Sequence, residues 1–258
     1  MTGRSPESAL GYAYALPKPN RLTDMPIARE DQFLVSRDLA RTPSLGLESA
    51  NLEACLAEVR QRGFKAVFGS PVFGFFEDSL DSLKGLPELE AIWFWDVDLR
   101  DIDAIYEHSS LQRFGIHDKR PPVDFSRLPS LKRVVWKHKA SDVGIRSLSG
   151  LELLHVWSYA PRSKSFADLE LPSGLTELQI NWANPKTLDG MISVPGLRRL
   201  EIARCRNLET LDAIPALFPD LEHLVVTACG RIQSGEGERV VARLPNLRHA
   251  FVKDKVLT

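Results

Sequence analysis

One nine-residue frame recurs through most of the chain and is clearest at residues 221–229, LEHLVVTAC. Apolar residues occupy its first, fourth, sixth and ninth places. A ninth, upstream copy starts at Phe64 and has Gly69 at the sixth place. The other eight copies begin at Leu89, Leu111, Leu131, Leu151, Leu175, Leu197, Leu221 and Leu247. Since successive copies start only 20 to 26 residues apart, no unit buries a core alone, and the units must stack.

This frame and its spacing resemble the leucine-rich repeat superfamily over roughly residues 64–258. The resemblance implies an α/β fold, a curved horseshoe-shaped solenoid with a parallel sheet on its concave side. Many bacterial members of this superfamily are recognition or inhibitor proteins. The resemblance is specific for the fold and says little about the ligand, because one architecture hosts many unrelated binding roles.

Upstream of the repeats the pattern changes twice. Residues 1–25 show no sustained period and are predicted to be an irregular amino-terminal arm. Within residues 26–63, the segment 32–36 alternates like a strand, and Leu52, Cys55, Leu56 and Val59 share one face of a helix. The sequence therefore predicts an arm at 1–25, a strand-helix cap at 26–63 and a repeat array at 64–258.

The connections between repeats follow from proline and from length. Five of them place a proline two residues before the next opening leucine, which ends any preceding helix. Segments 79–86, 102–106 and 236–244 are long enough for helical turns, whereas 119–130 is predicted to lack one.

Composition excludes several classes of protein. The net charge of −1 gives no general attraction to nucleic acid or to an anionic membrane. No apolar run is long enough to span a bilayer, and the first residues lack a secretory signal, so we expect a cytoplasmic protein. Cys55, Cys205 and Cys229 are too few for a disulfide scaffold and are predicted to be buried thiols.

Strand geometry identifies a candidate binding face. If the fourth and sixth places point inward, the third, fifth and seventh places form three aligned columns on the concave side. Aromatic and cationic residues concentrate in these columns and are typical of protein interfaces. The predicted binding residues are Phe68, Trp93, Trp95, Arg113, His117, Arg133, Lys137, His155 and Trp157.

Two other interpretations of the aromatic residues stay open. The amino-terminal arm, with Tyr12 and Tyr14, would cover Phe68, Trp93 and Trp95 if it folded over the first repeats. Alternatively, the rings pack on one another across the strands and stabilise the sheet without any partner.

Recognisable catalytic and metal-binding patterns are missing from the sequence. No glycine-rich nucleotide loop is present. His223 and His249 share a column but lack further ligands for zinc, and the aspartates between 96 and 103 lack the spacing of a calcium loop. We therefore expect no enzyme activity, no metal and no cofactor.

The predicted function is non-catalytic protein–protein interaction through the concave face and its rim. Inhibitor, antidote and effector roles remain open, and carbohydrate or small-ligand binding by the tryptophans is the alternative. From residue 89 onward the outward columns hold five cationic and two anionic residues, which favours an acidic partner. A monomer is expected rather than a homo-oligomer, with neither nucleic acid nor a membrane as partner.

Overall fold

The computed structural model describes residues 27–37 and 42–258; the predicted arm at 1–25 lies outside them. The described residues form one 13-stranded sheet whose strands follow one another in chain order. The strands are β1 (Ile27–Glu30), β2 (Phe33–Ser36), β3 (Ser44–Gly46), β4 (Ala66–Gly69), β5 (Ala91–Phe94), β6 (Arg113–Ile116), β7 (Arg133–Lys137), β8 (Leu153–Trp157), β9 (Glu177–Asn181), β10 (Arg199–Ala203), β11 (His223–Thr227), β12 (His249–Val252) and β13 (Lys255–Val256).

Each of the nine repeated frames contributes one of the parallel strands β4 to β12. Equivalent places pair across the sheet, as Leu178, Leu200 and Leu224 do at the fourth place. These three leucines are fully buried, and the inward rows join into one continuous hydrophobic core. The fold is a leucine-rich repeat solenoid, as the frame predicts.

The glycine in the first frame is explained by its neighbours. A Cβ on Gly69 would lie 2.5 Å from Cε1 of Phe94 and 2.9 Å from Cγ of Phe75. The two rings pack against each other with centroids 5.0 Å apart. They fill the space that an apolar sixth-place side chain occupies in the other repeats.

Both ends of the sheet carry antiparallel strands. At the amino-terminal end β1, β2 and β3 pair antiparallel, and β3 pairs parallel to β4. The predicted strand at 32–36 corresponds to β2, and the predicted helix is α1 (Leu52–Arg62), which ends at Gly63 with φ +66°. β1 and β3 were not predicted. At the other end, β13 pairs antiparallel with β12.

The connections use short helical turns. Two are α-helical, α2 (Ile214–Leu217) and α3 (Glu236–Val241). The 3-10 turns are Ser49–Asn51, Pro71–Phe73, Asp81–Leu83, Asp103–Glu107, Phe125–Arg127 and Ile145–Ser147. The prediction that 119–130 lacks a turn is wrong, because the Asp124 side chain accepts a hydrogen bond from the Ser126 amide and starts one. No helix among the described residues is both long and apolar enough to cross a membrane.

A buried ion pair joins two neighbouring connections. The side chains of Arg120 and Asp142 are fully buried, and two guanidinium nitrogens donate to the carboxylate at 2.6 and 2.7 Å. The same carboxylate accepts from Trp136 Nε1 at 2.6 Å and from the Val123 amide at 2.8 Å. Removing this carboxylate takes the acceptor from Arg120 Nη2, Trp136 Nε1 and the Val123 amide, while Arg120 Nη1 keeps its bond to the Pro121 carbonyl at 2.9 Å.

We predict that Asp142→Ala destabilises the protein by about 3–5 kcal/mol, because it leaves a buried guanidinium without its counter-ion. Urea unfolding followed by circular dichroism measures the loss. The control is Asp81→Ala, which removes an exposed ion pair with Lys84 at 2.7 Å and is expected to change stability much less. Equal losses in both variants would contradict the structural role assigned to Asp142.

Candidate interaction site on the concave face

The outward places line up as the strand geometry requires. At the third place Arg113 pairs with Arg133, and at the seventh place Lys137 pairs with Trp157. Six of the nine predicted binding residues are partly exposed: Trp93, Trp95, Arg113, Arg133, Lys137 and Trp157. The other three, Phe68, His117 and His155, lie on the same face but are buried. The expectation that these three side chains are exposed to solvent is therefore wrong.

Four tryptophans form a continuous cluster, which we call the tryptophan ridge: Trp93, Trp95, Trp157 and Trp182. The ring centroids of Trp93 and Trp95 are 6.2 Å apart and nearly parallel. Trp95 meets Trp157 edge to face at 5.9 Å, and Trp157 lies 4.7 Å from Trp182. Aromatic pairs at these separations attract each other beyond the area that they bury, so the ridge is held in place before any partner binds.

The ridge crosses strands instead of following one. Trp95 follows β5 and Trp157 ends β8, and three strand intervals amount to about 14 Å. Because the two rings are nevertheless in contact, they lean toward each other over β6 and β7. This explains why His117, whose ring meets Trp95 at 5.2 Å, is buried on an outward-facing position.

Phe68 lies apart from the ridge. It is only 1% exposed and meets Phe73 edge to face at 5.6 Å. Its ring also closes over Gly46, where a Cβ would come within 2.8 Å of the Phe68 Cζ. Phe68 packs as a core residue here, which sequence alone did not indicate because Phe73 and Gly46 lie outside the repeated frame.

The absence of a side chain at Gly115 makes room for the Trp93 ring. The two residues pair between β5 and β6 at the fifth place, and a Cβ at Gly115 would overlap three atoms of the indole ring. The ring thus lies flat over the neighbouring backbone. Glycine at this outward position is explained by close approach of a side chain, not by a turn.

Charged groups surround His117 on three sides. Its Nε2 lies 2.9 Å from Asp96 Oδ1 and its Nδ1 lies 3.0 Å from Asp118 Oδ1. The Lys137 ammonium is 3.2 Å from Asp118 and 2.8 Å from His117 Nε2. Burial, together with Lys137, lowers the pKa of His117, so the imidazole is mainly neutral near pH 7 and joins the two acids and the lysine.

His155 lies beneath the ridge on β8. It is 2% exposed, its ring centroid is 5.0 Å from Trp157, and its Nε2 is 2.5 Å from the side-chain nitrogen of Asn181. Burial lowers the pKa of His155 to about 3. The neutral imidazole therefore belongs to the packing under Trp157, and its ring is closed to a partner.

Sequence reasoning missed two residues at the end of the ridge. Trp182 is 41% exposed, and the Arg204 guanidinium lies 5.0 Å from its ring centroid. Both occupy the eighth place of their repeats and have positive φ, +54° and +59°. Glycine, asparagine and aspartate usually adopt this conformation, so nothing in the local sequence marks Trp182 or Arg204 as turn residues beside the ridge.

Most cations of the outward columns already have partners. Arg113 lies 3.7 Å from Glu90, Arg199 lies 3.4 Å from Glu177, and Lys137 pairs with Asp118. The Lys253 ammonium donates to the Ile232 carbonyl at 3.0 Å. Two acids outside the three columns, Glu90 and Asp118, thus reduce the surplus of cations that favours an acidic partner.

The structure also shows the environment of the three cysteines and of the two histidines that share a column. Cys55, Cys205 and Cys229 are buried and unbridged. The rings of His223 and His249 are 6.3 Å apart. Across residues 27–37 and 42–258, no group of three or more His, Cys, Asp or Glu residues is arranged to hold a metal ion.

Comparisons with known proteins bear on the fold only. No family model and no curated protein matches this chain. Among solved structures, an internalin (inlF) from Listeria monocytogenes str. 4b F2365 is similar to it, with 14% identity and a TM-score of 0.44. The match covers 72% of this chain and 67% of the internalin. The solenoid assignment itself rests on the strand order and register described above.

Gly115→Ala is predicted to displace the Trp93 ring and to destabilise the protein by about 1–3 kcal/mol, because an added methyl group overpacks a filled site. Tryptophan fluorescence and urea unfolding report the two effects. Gly150→Ala is the matched control, since a Cβ there meets nothing within 4 Å. Unchanged fluorescence and stability in Gly115→Ala would show that the Trp93 ring does not pack against Gly115.

The buried His155 predicts acid sensitivity. Between pH 6.5 and about 3 the unfolded chain binds a proton at this residue and the folded chain does not, so stability falls as pH falls. Well below pH 6.5, the loss of unfolding free energy caused by His155 approaches about 1.4 kcal/mol for each pH unit. His155→Gln, which keeps a hydrogen-bonding side chain, should take up about one proton less on unfolding at pH 5. Urea unfolding at several pH values measures this; an unchanged pH slope would refute it.

Proposed function

We propose that this protein is a non-catalytic interaction module that binds a partner protein through the concave face, with the tryptophan ridge as the centre of the interface. The observation that carries this proposal is the position of the ridge. Four large aromatic rings lie side by side on the outward face of a rigid sheet, and their outer member, Trp182, is substantially exposed.

Physical reasons favour this surface over others on the described chain. Tryptophan and arginine are enriched among the residues that dominate the binding energy of protein interfaces. Tryptophan buries a large area with few flexible bonds, and arginine adds charge and hydrogen-bond donors. Here Arg204 stacks on Trp182, and Arg133 is partly exposed on the same face. The rings are already ordered by mutual packing, so little conformational entropy is lost when a partner covers them.

The nine residues predicted from the sequence take different roles in this proposal. Trp93, Trp95 and Trp157 belong to the ridge, and Arg113, Arg133 and Lys137 form its polar surroundings. His117 and His155 are buried and support the ridge from below. Phe68 is buried apart from the ridge, beside Phe73 and Gly46. Trp182 and Arg204 join the proposed contact residues.

Carbohydrate binding, the alternative, has less support from the ring contacts. A sugar stacks on an open aromatic face. The Trp182 ring is contacted by both Trp157 and Arg204, and Trp93 is sandwiched between Trp95 and the backbone at Gly115. A protein partner can contact ring edges as well as ring faces. A protein is therefore favoured over a sugar as the partner of the ridge.

The proposal is tested by affinity capture from the native source followed by quantitative mass spectrometry. We expect a partner protein in stoichiometric amount with the wild-type chain. The double variant Trp157→Ala/Trp182→Ala should lose at least about 90% of it, since each truncated hot-spot residue weakens binding by more than about 2 kcal/mol.

Val143→Ala is the control, because Val143 is exposed in the connection between β7 and β8, away from the ridge. It should retain the partner. Circular dichroism of every variant checks that the fold is intact. Full retention by a folded Trp157→Ala/Trp182→Ala protein would show that another surface binds.

A further inference from the structure

The two ends of the tryptophan ridge carry opposite charge. At the β5 end, Asp96 directly follows Trp95, its side chain is 60% exposed, and Asp98 is exposed two residues later. At the β10 end, the Arg204 guanidinium lies against Trp182 and Arg206 is exposed two residues later. An acidic pair and a basic pair therefore flank the apolar centre.

These end charges are largely free to meet a partner. Within residues 27–37 and 42–258, Asp98, Arg204 and Arg206 form no ion pair, and Asp96 contacts only His117. The middle of the face differs, because Lys137 is neutralised by Asp118 and Arg113 lies close to Glu90. Among the described residues, Arg133 is the one column cation of this middle without an ion pair, so the face has a nearly balanced middle and two charged ends.

From this charge arrangement we infer that the ridge binds an extended segment of the partner protein in one orientation. The segment is apolar in its middle, carries a basic residue opposite Asp96 and Asp98, and carries an acidic residue opposite Arg204 and Arg206. The inference rests on the proposed function, since it assumes that the ridge is the binding surface. Complementary charge at both ends sets the direction, because the reversed segment would place like charges together.

The geometry also fixes a spacing. Five strand intervals separate β5 from β10, which is about 24 Å at 4.8 Å per interval. An extended chain advances about 3.3 Å per residue, so roughly seven residues separate the basic from the acidic position. This number can be read directly from the sequence of any bound peptide.

A phage-displayed library of random dodecapeptides provides the probe. It is selected on the full chain at low salt and counter-selected on Trp157→Ala/Trp182→Ala. The recovered peptides should carry a basic and an acidic residue roughly seven positions apart, with aromatic or aliphatic residues between them. A synthetic copy of one recovered peptide is then measured by isothermal titration calorimetry.

Two matched comparisons test the charges. Asp96→Asn/Asp98→Asn and Arg204→Gln/Arg206→Gln should each bind this peptide about tenfold more weakly, with a smaller dependence on salt. Asparagine tolerates the positive φ of residue 96, so the first variant should keep its turn. A second peptide of identical composition, with its charged ends exchanged, should also bind the wild-type chain about tenfold more weakly.

Outcomes that would contradict this inference differ from those that would contradict the proposed function. Equal affinity for the end-exchanged peptide, or recovered peptides of one charge sign, would overturn the orientation while leaving the ridge as a binding site. Recovery of no ridge-dependent peptide would overturn the inference of an extended segment, whereas the proposed function fails only if the Trp157→Ala/Trp182→Ala variant retains the captured partner protein. Displacement of the bound peptide by a synthetic peptide of residues 1–26 would assign the ridge to this chain's own amino-terminal segment, and self-association abolished by Trp182→Ala would assign it to a second copy; either result overturns the inference.

Discussion

The register of the parallel strands is the constraint on which the rest of the molecule depends. Each strand pairs with the next at equivalent places, so the inward leucines stack into one core and every outward residue stands beside its counterpart. A one-residue slip would turn the leucines outward and expose the core. Burial of the inward rows therefore also fixes the composition of the concave columns, although those columns contribute much less to the core.

The tryptophan ridge shows how that regular sheet becomes a particular surface. Regular stacking alone would leave Trp95 and Trp157 about 14 Å apart. The small Gly115 lets Trp93 lie flat, and the ring of Trp95 reaches across β6 toward Trp157. The same contacts bury His117 and His155, so the ridge stabilises the sheet and presents a surface at once. Packing among the rings and binding of a partner are compatible roles.

Much of the fold could be predicted because its pattern is repeated. The nine frames identified the parallel strands β4 to β12, and the inward position of Trp136 followed from its sixth place. The strand β3 escaped detection because its three residues are too few to show a pattern. The exposure of Phe68 and His155 was also misjudged. Phe68 is covered by contacts with Gly46 and Phe73, which lie outside the frame. His155 is covered by Trp157 and by Asn181 of the next repeat.

By itself, the sequence determined the solenoid, the strand register and which residues face the hollow side, because the apolar period is local and repeats nine times. Only the tertiary structure decided that Trp157 meets Trp95, that Trp182 and Arg204 complete the ridge, and that Glu90 and Asp118 pair with two column cations. These outcomes depend on ring packing across three strand intervals and on left-handed turn positions that are occupied by residues other than glycine. Such features arise from contacts between repeats, and no pattern within one repeat encodes them.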